Sequence, residues 1–258
     1  MSVAPKKELG QHFLVDENIL GVIGRLAVLD ADDVVLEIGP GLGILTGYLA
    51  DRVALVHAVE LDRTLRPHLE QHLAGRANVR LRFDDAMDLD PGMLQPPPTK
   101  LVSNLPYSVA TPVIVESLDG YPSLQRWCVM VQREVADRLF ARPSTKEYGA
   151  VSVLVALVAE RTGFHPVSRT VFRPRPNVDS ALVAFRRTGL PDDYAHVKRI
   201  VVGAFAHRRK TLVNSLELTG LASRSRAAGA LADAGLPAGM RAEALEPDDF
   251  LRLAAALR

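Results

Sequence analysis

Cysteine is almost missing from this 258-residue chain; Cys128 is the only one. A single thiol excludes an internal disulfide and a cysteine-built zinc cluster, and its setting in the apolar run "WCVMV" reads as core packing. Long hydrophobic runs are missing as well. No stretch approaches the ~18–20 apolar residues that a membrane span needs, and "MSVAPKKELG" carries no apolar segment of a signal peptide. Net charge is also small, since 31 Lys and Arg against 30 Asp and Glu leave only +1. Bulk charge therefore argues for no nucleic-acid partner. Together these absences predict a cytoplasmic protein that does not enter a membrane.

What is present is an ordinary globular composition, 48% apolar and 24% charged, at a length that suits one good core and a small second domain. The charge is unevenly placed. Six arginines (161, 169, 173, 175, 186 and 187) stand against one acid, Asp179, in the segment 161–187. Such a strip can meet phosphates, or it can be a solvated face.

Short apolar runs alternate with longer amphipathic ones. Strands are predicted at 34–39, 55–61, 79–83, 100–104 and 126–132, with helices at about 16–29, 43–51, 62–74, 111–118 and 133–141. This alternation predicts an α/β fold with a parallel sheet covered by helices on both faces. After Glu147 the pattern changes. "YGAVSVLVALVAE" is apolar, and "TVFRPRPNVDSALVAFRR" ends in a late strand. Pro174 and Pro176 prevent a regular helix there. From about Leu190 the pattern is helical only, and Gly189-Leu190-Pro191 reads as a linker. Two domains are expected, 1–189 and 190–258.

"VVLEIGPGLGILTGYLA" sets a strand before a glycine loop and a helix after it. Glycines allow tight turning and close backbone approach, and the helix start offers free N–H groups. A dinucleotide fingerprint would need glycine where Ile44 or Thr46 stands, and there is no G-K-[ST] of a phosphate-binding loop. The pattern E-x-G-x-G-x-G instead resembles that of class I methyltransferases, which use S-adenosylmethionine. Two carboxylates follow at strand ends. Glu60 closes "HAVE" and is placed to accept from ribose hydroxyls, as acids do in dinucleotide folds. Asp85 closes "RLRFDD" and is placed to accept from an adenine amine, with Asp84 as its close competitor. Ligands of open parallel sheets bind at the carboxyl ends of the strands, where all three elements lie.

The segment "KLVSNLPYSVATP" ends the fourth strand on the same rim. The N6 lone pair of adenine is delocalised into its ring and is a poor nucleophile. Acceptors that hold the N6 hydrogens improve it, and the Asn104 side-chain oxygen and the Leu105 carbonyl are candidates. Pro106 stiffens the turn. Tyr107 can stack on a base drawn out of its helix. A sulfonium methyl donor is already activated, so placement carries the rate and no general base or metal is nominated.

With these motifs in sequence, the chain resembles the ribosomal RNA adenine N6,N6-dimethyltransferases, and most closely their small-subunit (16S) branch. The likeness runs through "KKELGQHFLVDENIL", "LEIGPGLGILT", "VELD", "DDAM", "SNLPY", "MVQREVADRL", "KEYGAVSVL", "VFRPRPNVDSALV" and "FAHRRKTLVNSL". It implies a seven-stranded, Rossmann-like class I methyltransferase sheet with a small C-terminal all-helical domain that binds RNA or the ribosome. It implies transfer of methyl groups from S-adenosylmethionine to two adjacent adenines in the 3′-terminal hairpin of 16S rRNA. The substrate would be an assembling small ribosomal subunit, with a role in its biogenesis. The cofactor residues would be His12, Leu14, Gly39, Gly41, Glu60, Asp85 and Asn104, with Asn104, Leu105, Pro106 and Tyr107 at the reacting nitrogen. Phe13, Tyr107 and Phe172 would hold the base, Phe172 opposite Tyr107. Arg173, Arg175, Arg208, Arg209 and Lys210 would meet the RNA, the last three at the start of a helix. The segment 190–258 holds ten Lys and Arg against eight Asp and Glu, only +2, so it is not strongly basic. A monomer with no DNA partner is expected. The competing readings are the large-subunit adenine methyltransferases of macrolide resistance, an assembly factor without turnover, and a nicotinamide-dependent oxidoreductase.

Overall fold

The computed structural model describes residue 6 and residues 11–258. The first part of the N-terminal motif, residues 7–10, lies outside the described residues. Short β1 (Phe13–Leu14) precedes α1 (Glu17–Ala27), which Asp16 caps by accepting from the Asn18 N–H. Two strand–helix repeats and a further strand follow. They are β2 (Val34–Ile38) and α2 (Ile44–Ala50), β3 (Leu55–Val59) and α3 (Arg66–His72), then β4 (Val79–Arg82). Next come β5 (Lys100–Asn104), α4 (Ala110–Gly120), β6 (Arg126–Gln132) and α5 (Arg133–Leu139). The chain continues through α6 (Ala150–Ala156), β7 (Ala159–Val167), β8 (Phe172–Arg173) and β9 (Ser180–Arg187). It closes with α7 (Tyr194–Ala206), α8 (Leu212–Leu218), α9 (Arg224–Asp233) and α10 (Pro247–Ala256).

The main sheet has seven strands in the order β4-β3-β2-β5-β6-β9-β7. The first five are parallel to their neighbours, and β9 returns antiparallel to β6. Every residue of β2 and β3 is buried, as strands covered on both faces must be. The order reverses between β2 and β5, so a crevice opens there beyond their carboxyl ends. A core cluster joins Ile23 of α1, Val35 of β2, Leu49 of α2, Val102 of β5 and Met130 of β6. Cys128 lies in the same cluster, and burial pushes its thiol up to about 12. It is packing material, as its apolar setting predicts.

β7 is a nine-residue strand that the apolar pattern did not predict. Its middle residues are partly or fully exposed, so alternation there is too weak to see. A second, two-stranded sheet pairs β1 with β8, Phe13 opposite Arg173 and Leu14 opposite Phe172.

The chain divides into two compact units. The first holds the described residues up to Ala136 with Arg161–Arg187, and the second holds Asp137–Glu160 with Thr188–Arg258. The turn to helical sequence near residue 189 falls at the last crossing between them. The segment 137–160, placed with the first 189 residues by the sequence pattern, packs with the C-terminal helices. Within that unit the Tyr148 hydroxyl donates to the Leu245 carbonyl at 2.7 Å. Among the described residues no helix is long and apolar enough to cross a membrane.

Candidate active site

The crevice beyond β2 and β5 is a cavity lined by five pieces of chain. They are 11–14, the glycine loop after β2, the acids after β3 and β4, and the turn after β5. The glycine loop sits between two others. Gly39 has φ +74° and Gly41 φ +58°, a left-handed backbone that disfavours any side chain. A Cβ on Gly39 would stand 3.1 Å from Pro106, and one on Gly41 would stand 3.0 Å from Phe13. Glycine here serves contact as well as conformation.

Glu60, which is 6% exposed, accepts at both oxygens. Gly41 N–H donates to Oε2 at 3.1 Å and Asp62 N–H to Oε1 at 2.9 Å. The carboxylate therefore ties the glycine loop to the end of β3. Burial raises its pKa, and the two backbone donors work the other way. Asp84 and Asp85 both line the cavity. Asp84 pairs with Arg82 at 3.7 Å, while Asp85 Oδ1 accepts from the Met87 N–H at 2.9 Å. Asp85 is thus held by its own turn and keeps its second oxygen out of the ion pair.

Sequence reasoning passed over Glu37, although it is the first letter of the E-x-G-x-G-x-G pattern. Its side chain lines the cavity and is 1% exposed. Burial pushes its carboxyl up to about 8; the Thr46 hydroxyl beside it pulls the other way without completing a well-formed hydrogen bond, and the nearby Glu60 charge adds to the rise. Glu37 Oε2 and the Thr46 hydroxyl have no hydrogen-bond partner among the described residues. A buried polar atom left without a partner calls for a ligand or water to complete it. This orphan, two left-handed glycines and an acid row on one apolar-walled crevice fit a cofactor with a sugar, an amine and a sulfonium.

Asn104 stands at the end of β5, where its Nδ2 donates to the His12 carbonyl at 3.2 Å. The His12 Nδ1 in turn donates to the Pro174 carbonyl at 2.7 Å. Leu105 is buried, and its N–H donates to the Met130 carbonyl at 3.1 Å. The Tyr107 hydroxyl is hydrogen-bonded to Ser180 of β9 at 2.6 Å, and the His12 ring lies 5.4 Å from the Tyr107 ring. Burial raises the phenol above its ordinary value, so Tyr107 stays a neutral aromatic. His12, Phe13, Leu14, Asn104, Leu105, Pro106 and Tyr107 all line the cavity together with Gly39, Gly41, Glu60 and Asp85.

The remaining predicted residues are placed elsewhere. Phe172 is 2% exposed inside the core cluster with Leu14 and Leu20. It does not line the cavity opposite Tyr107, because the β1–β8 pairing turns it inward. Arg173 and Arg175 are exposed next to this sheet without lining the cavity. Arg208, Arg209 and Lys210 belong to the second unit. They lie in the turn before α8 rather than starting that helix. Arg208 is engaged within its own unit, with Nε donating to Glu243 at 3.1 Å and Nη2 to the Lys146 carbonyl at 2.8 Å. Arg209 and Lys210 are exposed. Arginines of the strip 161–187 are engaged as well, Arg161 and Arg186 included. Arg187 donates to the carbonyls of Leu118, Tyr121 and Leu124, and Arg169 pairs with Asp179.

The sequence profile described as ribosomal RNA adenine dimethylase matches residues 4–258. A protein of Rubrobacter xylanophilus named ribosomal RNA small subunit methyltransferase A is 48% identical, over 96% of this chain and 94% of its own. A Moorella thermoacetica protein of the same name is 41% identical, over 99% and 93%. Among solved structures, a dimethyladenosine transferase from Plasmodium falciparum superposes with a TM-score of 0.80 at 24% identity, covering 94% of this chain and 96% of that one. The 23S rRNA methyltransferase ErmE gives 0.67 at 29% identity, over 95% and 99%. The first of these structures speaks for the fold alone.

Proposed function

Because the chain belongs to the ribosomal RNA adenine dimethylase family, we propose that it transfers methyl groups from S-adenosylmethionine to N6 of two adjacent adenines in the 3′-terminal hairpin of small-subunit rRNA. The work takes place in the cytoplasm on the assembling small subunit, and the enzyme acts there as a monomer without a DNA partner. The observation that carries the reading is the setting of Asn104.

The His12 carbonyl takes the Asn104 Nδ2 hydrogen, so the oxygen is the end of the amide presented as an acceptor. A ligand amine that donates its hydrogens to this oxygen and to the Leu105 carbonyl gains nucleophilic character at nitrogen. Pro106, in contact range of Gly39, fixes the turn that carries both acceptors. Tyr107, held by Ser180, offers a ring face to an extruded base. Phe13 borders the glycine loop and lines the same cavity. When bound, S-adenosylmethionine supplies a methyl group on a positively charged sulfur. Gly39, Gly41, Glu60 and Asp85 hold its nucleoside, with His12, Leu14 and Asn104 beside it. The residues orient and exclude water, and the rate comes from placement.

Arg173, Arg175, Arg209 and Lys210 are assigned to phosphate contacts, which position RNA without reading its sequence. The helical unit takes the docking part of the work. The large-subunit reading has one support, the likeness to ErmE at 29% identity. The relatives at 41–48% identity carry the small-subunit name, and they favour the small subunit. The test offers labelled S-adenosylmethionine with undermethylated small subunits, large subunits and free rRNA side by side. Label is expected in the small subunits. Label confined to large subunits would move the assignment to the resistance-type reaction.

A further inference from the structure

Asp62 is buried, yet it does not line the cavity. Its ordinary duty is plain, because it caps the turn Arg63–Leu65 by accepting from the Thr64 N–H at 3.0 Å. A turn cap does not need to be 4% exposed, nor to collect partners from far along the chain. Lys6 Nζ donates to Oδ1 at 2.7 Å and Gln11 Nε2 to Oδ2 at 3.0 Å. The two partners also clasp each other. The Lys6 N–H donates to the Gln11 side-chain oxygen at 2.8 Å, and the Gln11 N–H to the Lys6 carbonyl at 3.3 Å. On its backbone side, the Asp62 N–H donates to Glu60 Oε1. Burial alone would raise the Asp62 carboxyl, but the donors from Lys6, Thr64 and Gln11 outweigh it and hold the group well below the usual carboxylate range.

The segment that Asp62 grips continues directly into the cavity wall, since Gln11, His12, Phe13 and Leu14 all line it. The wall is fastened at several points, the His12 Nδ1 bond to the Pro174 carbonyl among them. Leu14 and Phe13 pair with β8, the His12 carbonyl receives Asn104, and Gln11 with Lys6 sits on Asp62. The last of these rests on a residue whose side chain takes Lys6 and Gln11 while its backbone N–H donates to a proposed cofactor acceptor, Glu60.

We propose that Asp62 is a positioning residue for the methyl-transfer site: its side chain anchors the N-terminal wall of the cavity at Lys6 and Gln11 while its backbone N–H orients Glu60, so that loss of the side-chain anchor speeds release of the cofactor. This rests on the proposed cofactor reading, and the test separates the two. Hydrogen exchange of the 11–14 amides is measured in the cofactor-free full chain, and dissociation of S-adenosylmethionine is measured by stopped flow. The variants are Asp62→Asn, Lys6→Met and the pair combined. Lys6 is partly exposed, so Lys6→Met tests the clasp without threatening the fold. Asp62→Asn is expected to speed exchange in 11–14 and to release the cofactor about tenfold faster. Its KM for cofactor should rise while the KM for the ribosomal subunit stays within about twofold. The combined variant should be no worse than Asp62→Asn, because both changes open the same clasp. Unchanged exchange in both single variants, or effects that multiply in the combination, would overturn the proposal. A wild-type chain that binds no S-adenosylmethionine while keeping the exchange contrast would sink the cofactor reading and leave the anchoring standing.

Discussion

Replacing Asn104 by alanine removes the acceptor and the Nδ2 bond to the His12 carbonyl, while the β1–β8 pairing still holds the cavity wall at Phe13 and Leu14. Methyl transfer is expected to be lost, with S-adenosylmethionine affinity within a few fold of wild type. Equilibrium binding beside single-turnover transfer checks this, and intact turnover with a large loss of affinity would reverse the assignment. Glu37 makes a prediction of a different kind. Its folded carboxyl keeps a proton up to about 8, against an ordinary value of 4.5. The unfolded chain therefore releases this proton first as pH rises, and the group's contribution to stability declines between those two values and levels off above them. Glu37→Gln cannot lose a proton. Its stability relative to wild type should climb with pH by at most roughly 1.4 kcal/mol per unit over that window. Urea unfolding at several pH values decides the matter, and a pH-independent difference would show that Glu37 titrates normally. Glu37 was legible as a motif letter, but its burial was not, because only the packing of β2 under α2 removes it from water. Phe172 fails in the opposite sense. "VFRPRP" reads as a rim segment, yet the pairing of Leu14 with Phe172 brings the ring into the core, and a pairing across more than 150 residues leaves no local trace.

Elements differ in how much of them the sequence shows. β2, β3, β5 and β6 were legible because strands buried on both faces read as near-continuous apolar runs, with Gly39 closing β2 and Pro106 following β5. β7 was not, since a strand with an exposed middle and a proline inside, "AERTGFHPV", carries neither alternation nor an apolar run. The ends of helices depend on contacts from far away. Arg187 of β9 donates to the carbonyls of Leu118, Tyr121 and Leu124 at 2.9, 3.2 and 2.6 Å, closing the end of α4. Nothing in the arginine-rich spacing distinguishes this inward role from an RNA contact. Arg187→Met should destabilise the fold by about 2–4 kcal/mol, because it strands several carbonyls at once. A thermal midpoint equal to wild type would argue that solvent replaces the guanidinium at no cost. The glycine loop yields a companion prediction. Gly41→Ala forces a side chain onto a left-handed backbone and against Phe13. It is expected to weaken cofactor binding about tenfold with the secondary structure intact, as titration calorimetry beside circular dichroism would show.

At the scale of the whole molecule, the reaction class was legible because it depends on spacing along strand ends. The glycine loop, the acids, the acceptor amide and the aromatic all follow strands on the same rim of the main sheet, and 11–14 joins them from the β1–β8 sheet. The division of the chain was legible only in part. A linker near residue 189 marks the last crossing, while the membership of 137–160 depends on contacts such as Tyr148 with Leu245. The substrate is a property of the whole assembly and is carried by relatives rather than by any single residue. The most direct test is mass spectrometry of rRNA fragments from small subunits that lacked these methyl groups and were incubated with the enzyme and S-adenosylmethionine. The account predicts two neighbouring adenosines near the 3′ end, each carrying two methyl groups on N6, and none after incubation with Asn104→Ala. Methylation of a single adenosine elsewhere, or of a base other than adenine, would contradict it.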